Sequence, residues 1–129
     1  MKVHWSREPE AHDYPAAVAY LSLIADPITA ENLASTLARQ PIVFHKAKDI
    51  LRASRLPLLP NDDPYVVRDL KNIRKGRKLS PVLLVRGTLN GTPLQIADGY
   101  HRVCASYYLS EDTDVSAQIV TIGSPPPMS

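Results

Sequence analysis

The stretch Ile96-Ala97-Asp98-Gly99-Tyr100-His101-Arg102-Val103-Cys104 reads as the end of a buried strand, a sharp turn and the first turn of a helix. Its approach, Leu94-Gln95-Ile96-Ala97, is apolar enough for a strand, and Gly99 sits where the backbone must bend or let a ligand come close. Val103-Cys104-Ala105-Ser106-Tyr107-Tyr108-Leu109 continues as helix. A helix that opens with a His-Arg pair is where a functional site is expected.

The elements around this junction follow from patterning. Pro81-Val82-Leu83-Leu84-Val85-Arg86 is a nearly continuous apolar run, the signature of a strand covered on both faces. Asn90-Gly91 favours a tight hairpin, so a strand over 93–97 pairs antiparallel with it. A further strand runs from Val115 to Ile122 through Val115, Ala117 and Ile119. Asp63 followed by Pro64 starts a helix whose stripe is Val66, Val67, Leu70 and Ile73, and Gly76 ends it. Before it, Ala47, Ile50, Leu51 and Ser54 form one face of a helix whose polar side carries Lys46, Lys48, Asp49 and Arg52. Pro57 and Pro60 keep residues 56–64 out of helix, and Ile42-Val43-Phe44 suggests a brief strand.

The N-terminal third reads as helical. From Pro15 to Ala25 the residues Ala16, Ala17, Tyr20, Leu21, Leu23 and Ile24 have helical spacing, and Asp26-Pro27 ends the run. Thr29 then caps a second helix through Leu33, Leu37 and Ala38, giving an αα-hairpin. Trp5 anchors the polar arm 1–13 by burial, and the proline-rich tail 123–129 is expected to be unfolded. The class is therefore α+β: a small mixed β-sheet packed with helices, in a single domain over 1–122 whose first 45 residues are a helical extension.

Composition narrows the function classes. A net charge of +2 is too small to imply nucleic acid or membrane by itself. The cluster Lys71, Arg74, Lys75, Arg77 and Lys78 is read as a solvated helix end that complements the helix dipole. One cysteine, Cys104, excludes an intramolecular disulfide framework. No apolar run approaches the roughly 20 residues that span a bilayer, and the start Met1-Lys2-Val3-His4-Trp5 lacks the apolar core of a secretory signal. A cytoplasmic location is expected. His4, His12, His45 and His101 lack the spacing of a zinc site, and no nucleophile elbow supports Ser/His/Asp catalysis.

From about Lys46 to Val120 the series Ile50-Leu51-Arg52, Leu56-Pro57-Leu58-Leu59-Pro60, the helix 64–75, Pro81-Val82-Leu83-Leu84-Val85 and Asp98-Gly99-Tyr100-His101-Arg102 resembles the ParB/sulfiredoxin superfamily. The resemblance implies a nucleotide-handling domain in which the Gly-x-His-Arg turn receives phosphates, through Gly99, Tyr100, His101 and Arg102. The chemistry agrees, because free N–H groups at a helix start attract anions and a guanidinium matches phosphate geometry. The competing reading pairs Arg102 with a carboxylate and lets His101 cap the helix locally. Lys48, Arg52 and Arg55 are expected as secondary contacts. The ligand implied is ATP or CTP with Mg2+.

Departures from the family pattern select among its activities. Sulfiredoxin needs a cysteine directly before the His-Arg pair, and here Tyr100 stands there, with Cys104 one helical turn later. Sulfiredoxin chemistry is therefore excluded. The Asp-Gly-x-His-Arg form looks closer to relatives that bind nucleoside triphosphates and, in some members, transfer a phosphoryl group to a small hydroxyl compound. Asp98 is then able to position a metal ion or accept a proton, and Asp49, Asp62 and Asp63 are further candidates for a general base. Partition-type ParB proteins add a helix-turn-helix domain that the chain does not show after its last strand, so DNA contact would be weak and nonspecific. The alternative class is a non-catalytic interaction protein that binds a partner through its N-terminal helices.

Overall fold

The structure, a computed structural model, describes residues 1–123. Eleven elements follow one another as β1 (His4–Trp5), α1 (Asp13–Leu21), α2 (Pro27–Leu37), β2 (Val43–Lys46), α3 (Ala47–Ser54), α4 (Pro64–Arg74), β3 (Lys78–Leu79), β4 (Val82–Arg86), β5 (Gln95–Asp98), α5 (Tyr100–Leu109) and β6 (Asp114–Thr121). The main sheet has the order β2-β6-β4-β5, with β4 and β6 parallel and both edge strands antiparallel to their neighbours. The class is α+β with a mixed sheet, as the patterning predicts.

Alternation along β4 divides the core. Val82 and Leu84 pack with α3, α4 and α5 through Ile50, Val66 and Val103, whereas Leu83 and Val85 pack with α1 and α2 through Leu21, Leu33 and Leu37. All four strand residues are buried because both sheet faces are covered. The N-terminal helical pair is thus one of the two layers that enclose the sheet. A buried polar tie reinforces it: Tyr14 Oη donates to Gln118 Oε1 at 2.7 Å, and Gln118 Nε2 donates to the Gln40 carbonyl at 3.0 Å.

Several boundaries differ from the sequence reading. Helix α1 starts at Asp13 and stops at Leu21, leaving Leu23 and Ile24 exposed in irregular turns before Asp26. Asp26, not Thr29, caps α2: its Oδ1 accepts from Thr29 N at 2.9 Å, with Pro27 at the first helical turn. This is the same Asp-Pro signal that starts α4, where Asp63 Oδ1 accepts from Tyr65 N and Val66 N. Strand β5 does pair antiparallel with β4, but Asn90-Gly91 belongs to a longer connection over 87–94 rather than a two-residue turn. Thr88 N donates to the Thr92 carbonyl at 2.8 Å and Leu94 N to the Ala53 carbonyl at 3.0 Å, which folds that connection against the end of α3.

The short parallel pair β1 and β3 was invisible to patterning, because two residues are too few to alternate. Trp5 does anchor the N-terminal arm: it packs on the core and its Nε1 donates to the Asp114 carbonyl at 3.2 Å. The expected tail lies, past Gly123, outside the described residues. No helix among the described residues is long and apolar enough to cross a membrane.

Candidate functional site

Strand β5 ends at Asp98 and helix α5 begins at Tyr100, with Gly99 between them at φ 109°. A side chain at this residue would be strained by that backbone, and its Cβ would lie 2.5 Å from Val82 Cγ1 and 2.7 Å from Arg102 Nη2. Among the described residues no side chain caps α5, so the N–H groups of its first turn lack the partner that Asp26 and Asp63 supply to α2 and α4. His101 is partly exposed there and packs its ring at 5.0 Å from Tyr65. Its Nε2 stands 3.9 Å from Asp63 Oδ1, an ion pair only when the imidazole is protonated.

Arg102 turns the other way. Its Nη2 donates to Asp98 Oδ2 at 2.9 Å and to the Pro81 carbonyl at 3.4 Å, and both members of the pair are less than one-fifth exposed. Burial raises the Asp98 pKa above the ordinary carboxylate range; the Arg102 charge opposes this, and the adjacent Asp13 carboxylate adds to it. Asp13 is itself buried, accepts from Glu10 N at 3.0 Å and accepts from the Ser80 hydroxyl. On the far side of Arg102, Asp69 is buried on α4 with its pKa raised by burial against the opposing charges of Arg68, Arg102 and His101. Asp69 Oδ2 and Arg102 Nε are both buried without a hydrogen-bond partner among the described residues. The turn therefore adjoins three carboxylates, buried Asp13 and Asp69 and partly buried Asp98, with the Arg102 guanidinium among them.

The other sequence-selected residues gather elsewhere. Lys48, Arg52 and Arg55 line an open groove with Leu56, Pro57, Leu58 and Tyr107, and residues 98–102 are not among its walls. Lys48 Nζ pairs with Asp112 at 2.7 Å, and Arg52 Nη2 pairs with Asp49 at 3.2 Å. Arg55 donates to the Gly91 carbonyl at 3.2 Å. Tyr100 links the two regions, its hydroxyl donating to the Pro57 carbonyl at the end of that groove. Asp49 is thus tied to Arg52 on α3, in a different part of the molecule from Asp98. Cys104 is fully buried, and burial pushes its thiol pKa up, which leaves it inert as a nucleophile. Lys71, Arg74, Lys75, Arg77 and Lys78 are all exposed, as a solvated helix end requires.

Asp69, Asp13 and Ser80 were missed in the sequence. A signal for Asp69 existed: it stands three residues after Val66 and four before Ile73, inside the apolar stripe of α4. Asp13 and Ser80 carried none, because they meet only when α1 docks on the sheet. No group of three or more His, Cys, Asp or Glu side chains among the described residues is arranged to hold a metal ion. No family model matches this chain, and neither a curated protein nor a solved structure matches it.

Proposed function

We propose that the chain is a nucleotide-binding domain of ParB/sulfiredoxin-like type that seats the phosphates of ATP or CTP at the turn 98–102. The observation that carries this reading is the uncapped first turn of α5, opened by Gly99 in the left-handed region, with His101 exposed beside it. Backbone N–H groups and His101 would make the direct contacts. Arg102, held from behind by Asp98, would contribute positive potential through the turn rather than a fork of direct hydrogen bonds. Mg2+ would arrive on the phosphates, and Asp63 is the carboxylate nearest His101 that no arginine occupies. When bound, the ion would screen phosphate charge. Asp98, raised in pKa by burial, is the base candidate if phosphate is hydrolysed or transferred. A cytoplasmic location accords with the single buried Cys104 and suits such a ligand.

Thermal unfolding followed during titration with ATP, CTP and ADP, each with Mg2+, tests the reading. Ligand at 100 times its dissociation constant stabilises the fold by about 2.7 kcal/mol. Absence of a shift with every nucleotide overturns it. One observation favours a second reading, a non-catalytic interaction protein: Leu23, Ile24 and Ile28 are exposed together around the α1 to α2 connection.

A further inference from the structure

A cleft of about 510 Å3 opens between α3, the α3-facing side of the sheet and the connection 87–94. It is separate from the turn 98–102. Its floor is Ile50, Leu84 and Ile119, and its far wall is Leu89, Pro93 and Leu94. This volume lies within the range of small-molecule sites, which combine apolar walls with a few placed polar groups.

The polar groups here include two underused cations, Arg55 and Arg86. Arg86 donates to Thr121 Oγ1 at 2.7 Å, and Arg55 donates to the Gly91 carbonyl at 3.2 Å. A guanidinium carries five N–H donors, and among the described residues neither arginine has a carboxylate within ion-pair distance. His45 adds a third nitrogen-bearing side chain at the rim. The one acid on the lining, Asp49, is already engaged by Arg52 at 3.2 Å.

The cleft is also held in shape. Arg55 occupies the left-handed region at φ 58°, the only described residue other than glycine to do so, and that turn aims its side chain at the connection. Gly87 lets the two ends of the connection cross, since a Cβ there would lie 2.2 Å from the Thr92 carbonyl oxygen. A strained residue and a forced close approach thus both serve to fix the wall.

We infer that this cleft binds a small amphipathic anion, its aliphatic or aromatic body on Ile50, Leu84 and Ile119 and its acidic head between Arg55 and Arg86. Charge-assisted, forked hydrogen bonds suit either a carboxylate or a phosphate monoester head. This site is independent of the nucleotide seat and stands or falls without it.

The test uses 1-anilinonaphthalene-8-sulfonate as a fluorescent probe, with octanoate, octyl phosphate and octylamine as competitors on the full chain. The expected result is saturable binding of one probe per chain, displaced by octanoate or octyl phosphate and not by octylamine. Whichever acid displaces at lower concentration identifies the head group. Arg86→Gln weakens probe binding about tenfold or more, the loss expected for a hydrogen bond to a charged group. Ala53→Trp, an exposed position on the cleft wall, fills the space and abolishes binding, while Lys71→Ala on α4 leaves it unchanged. Absence of one-to-one binding, equal displacement by octylamine, or undiminished binding in a folded Ala53→Trp variant overturns the inference.

Discussion

The Arg102 guanidinium donates to the Asp98 carboxylate at 2.9 Å across a single turn, from the first turn of α5 back to the end of β5. The pair fastens the helix to the strand it leaves, and it does so beneath the surface on which a phosphate would rest. Removing one partner leaves the other largely buried and uncompensated. Arg102→Ala is therefore expected to lower unfolding free energy by about 2–4 kcal/mol, measured by denaturant titration. A change below about 0.5 kcal/mol, the size of an ordinary surface substitution, would show that the pair is not structural.

His101 separates ligand contact from scaffold. It is partly exposed, and among the described residues its only charged neighbour within ion-pair distance is Asp63 at 3.9 Å. His101→Ala should leave unliganded stability within about 0.5 kcal/mol and reduce the nucleotide-induced thermal shift. A variant that keeps the full shift would remove His101 from the seat.

Gly99→Ala attacks the same turn through the backbone. The residue would adopt φ 109° with its Cβ 2.5 Å from Val82 Cγ1. A loss of about 2 kcal/mol or more is expected from combined strain and overpacking, read from the shift of the denaturation midpoint.

Asp69 and Asp98 give the fold a pH dependence of defined sign. Burial raises both pKa values above those of the unfolded chain, which are close to 3.9. Their contribution is fully present below that value and is lost as pH rises through the folded-state pKa, because the unfolded state releases its protons first. Exposed carboxylates act oppositely: Asp26, lowered by its bonds to Thr29, stabilises above the unfolded pKa and loses that contribution in acid. Asp69→Asn should flatten the decline of stability that sets in as pH rises above the unfolded-state carboxylate value, followed by denaturant melts at a series of pH values. An unchanged pH profile would mean that Asp69 is not the group being desolvated.

Gly87→Ala tests the wall of the cleft. A Cβ 2.2 Å from the Thr92 carbonyl oxygen forces the connection open, because the obstacle is backbone. Lower stability and weaker probe binding are expected together. Stability lost with probe affinity intact would detach the connection from the site.

Much of the site's frame was legible in the sequence. The Ile96 to Cys104 stretch does form strand, glycine turn and helix, and the Asp63-Pro64 start and the buried β4 run stand where they were read. These are local matters: a glycine forced to positive φ, a proline at a helix start and an unbroken apolar run act through neighbours in the chain. Even the missed cap at Asp26 is the same local Asp-Pro signal that was recognised at Asp63.

What the sequence could not determine was which charges meet. Arg102 and Asp98 are four residues apart and within reach of inspection, but the burial that makes their pairing consequential comes from α1, α4 and β4 closing around them. Asp13 and Ser80 are separated by 67 residues, and Arg55 and Gly91 by 36. Such pairs carry no period and no local signature. They exist because burying the apolar faces of the helices on both sides of one sheet carries their polar residues to common points, and only there do desolvation and Coulomb interaction act on them together.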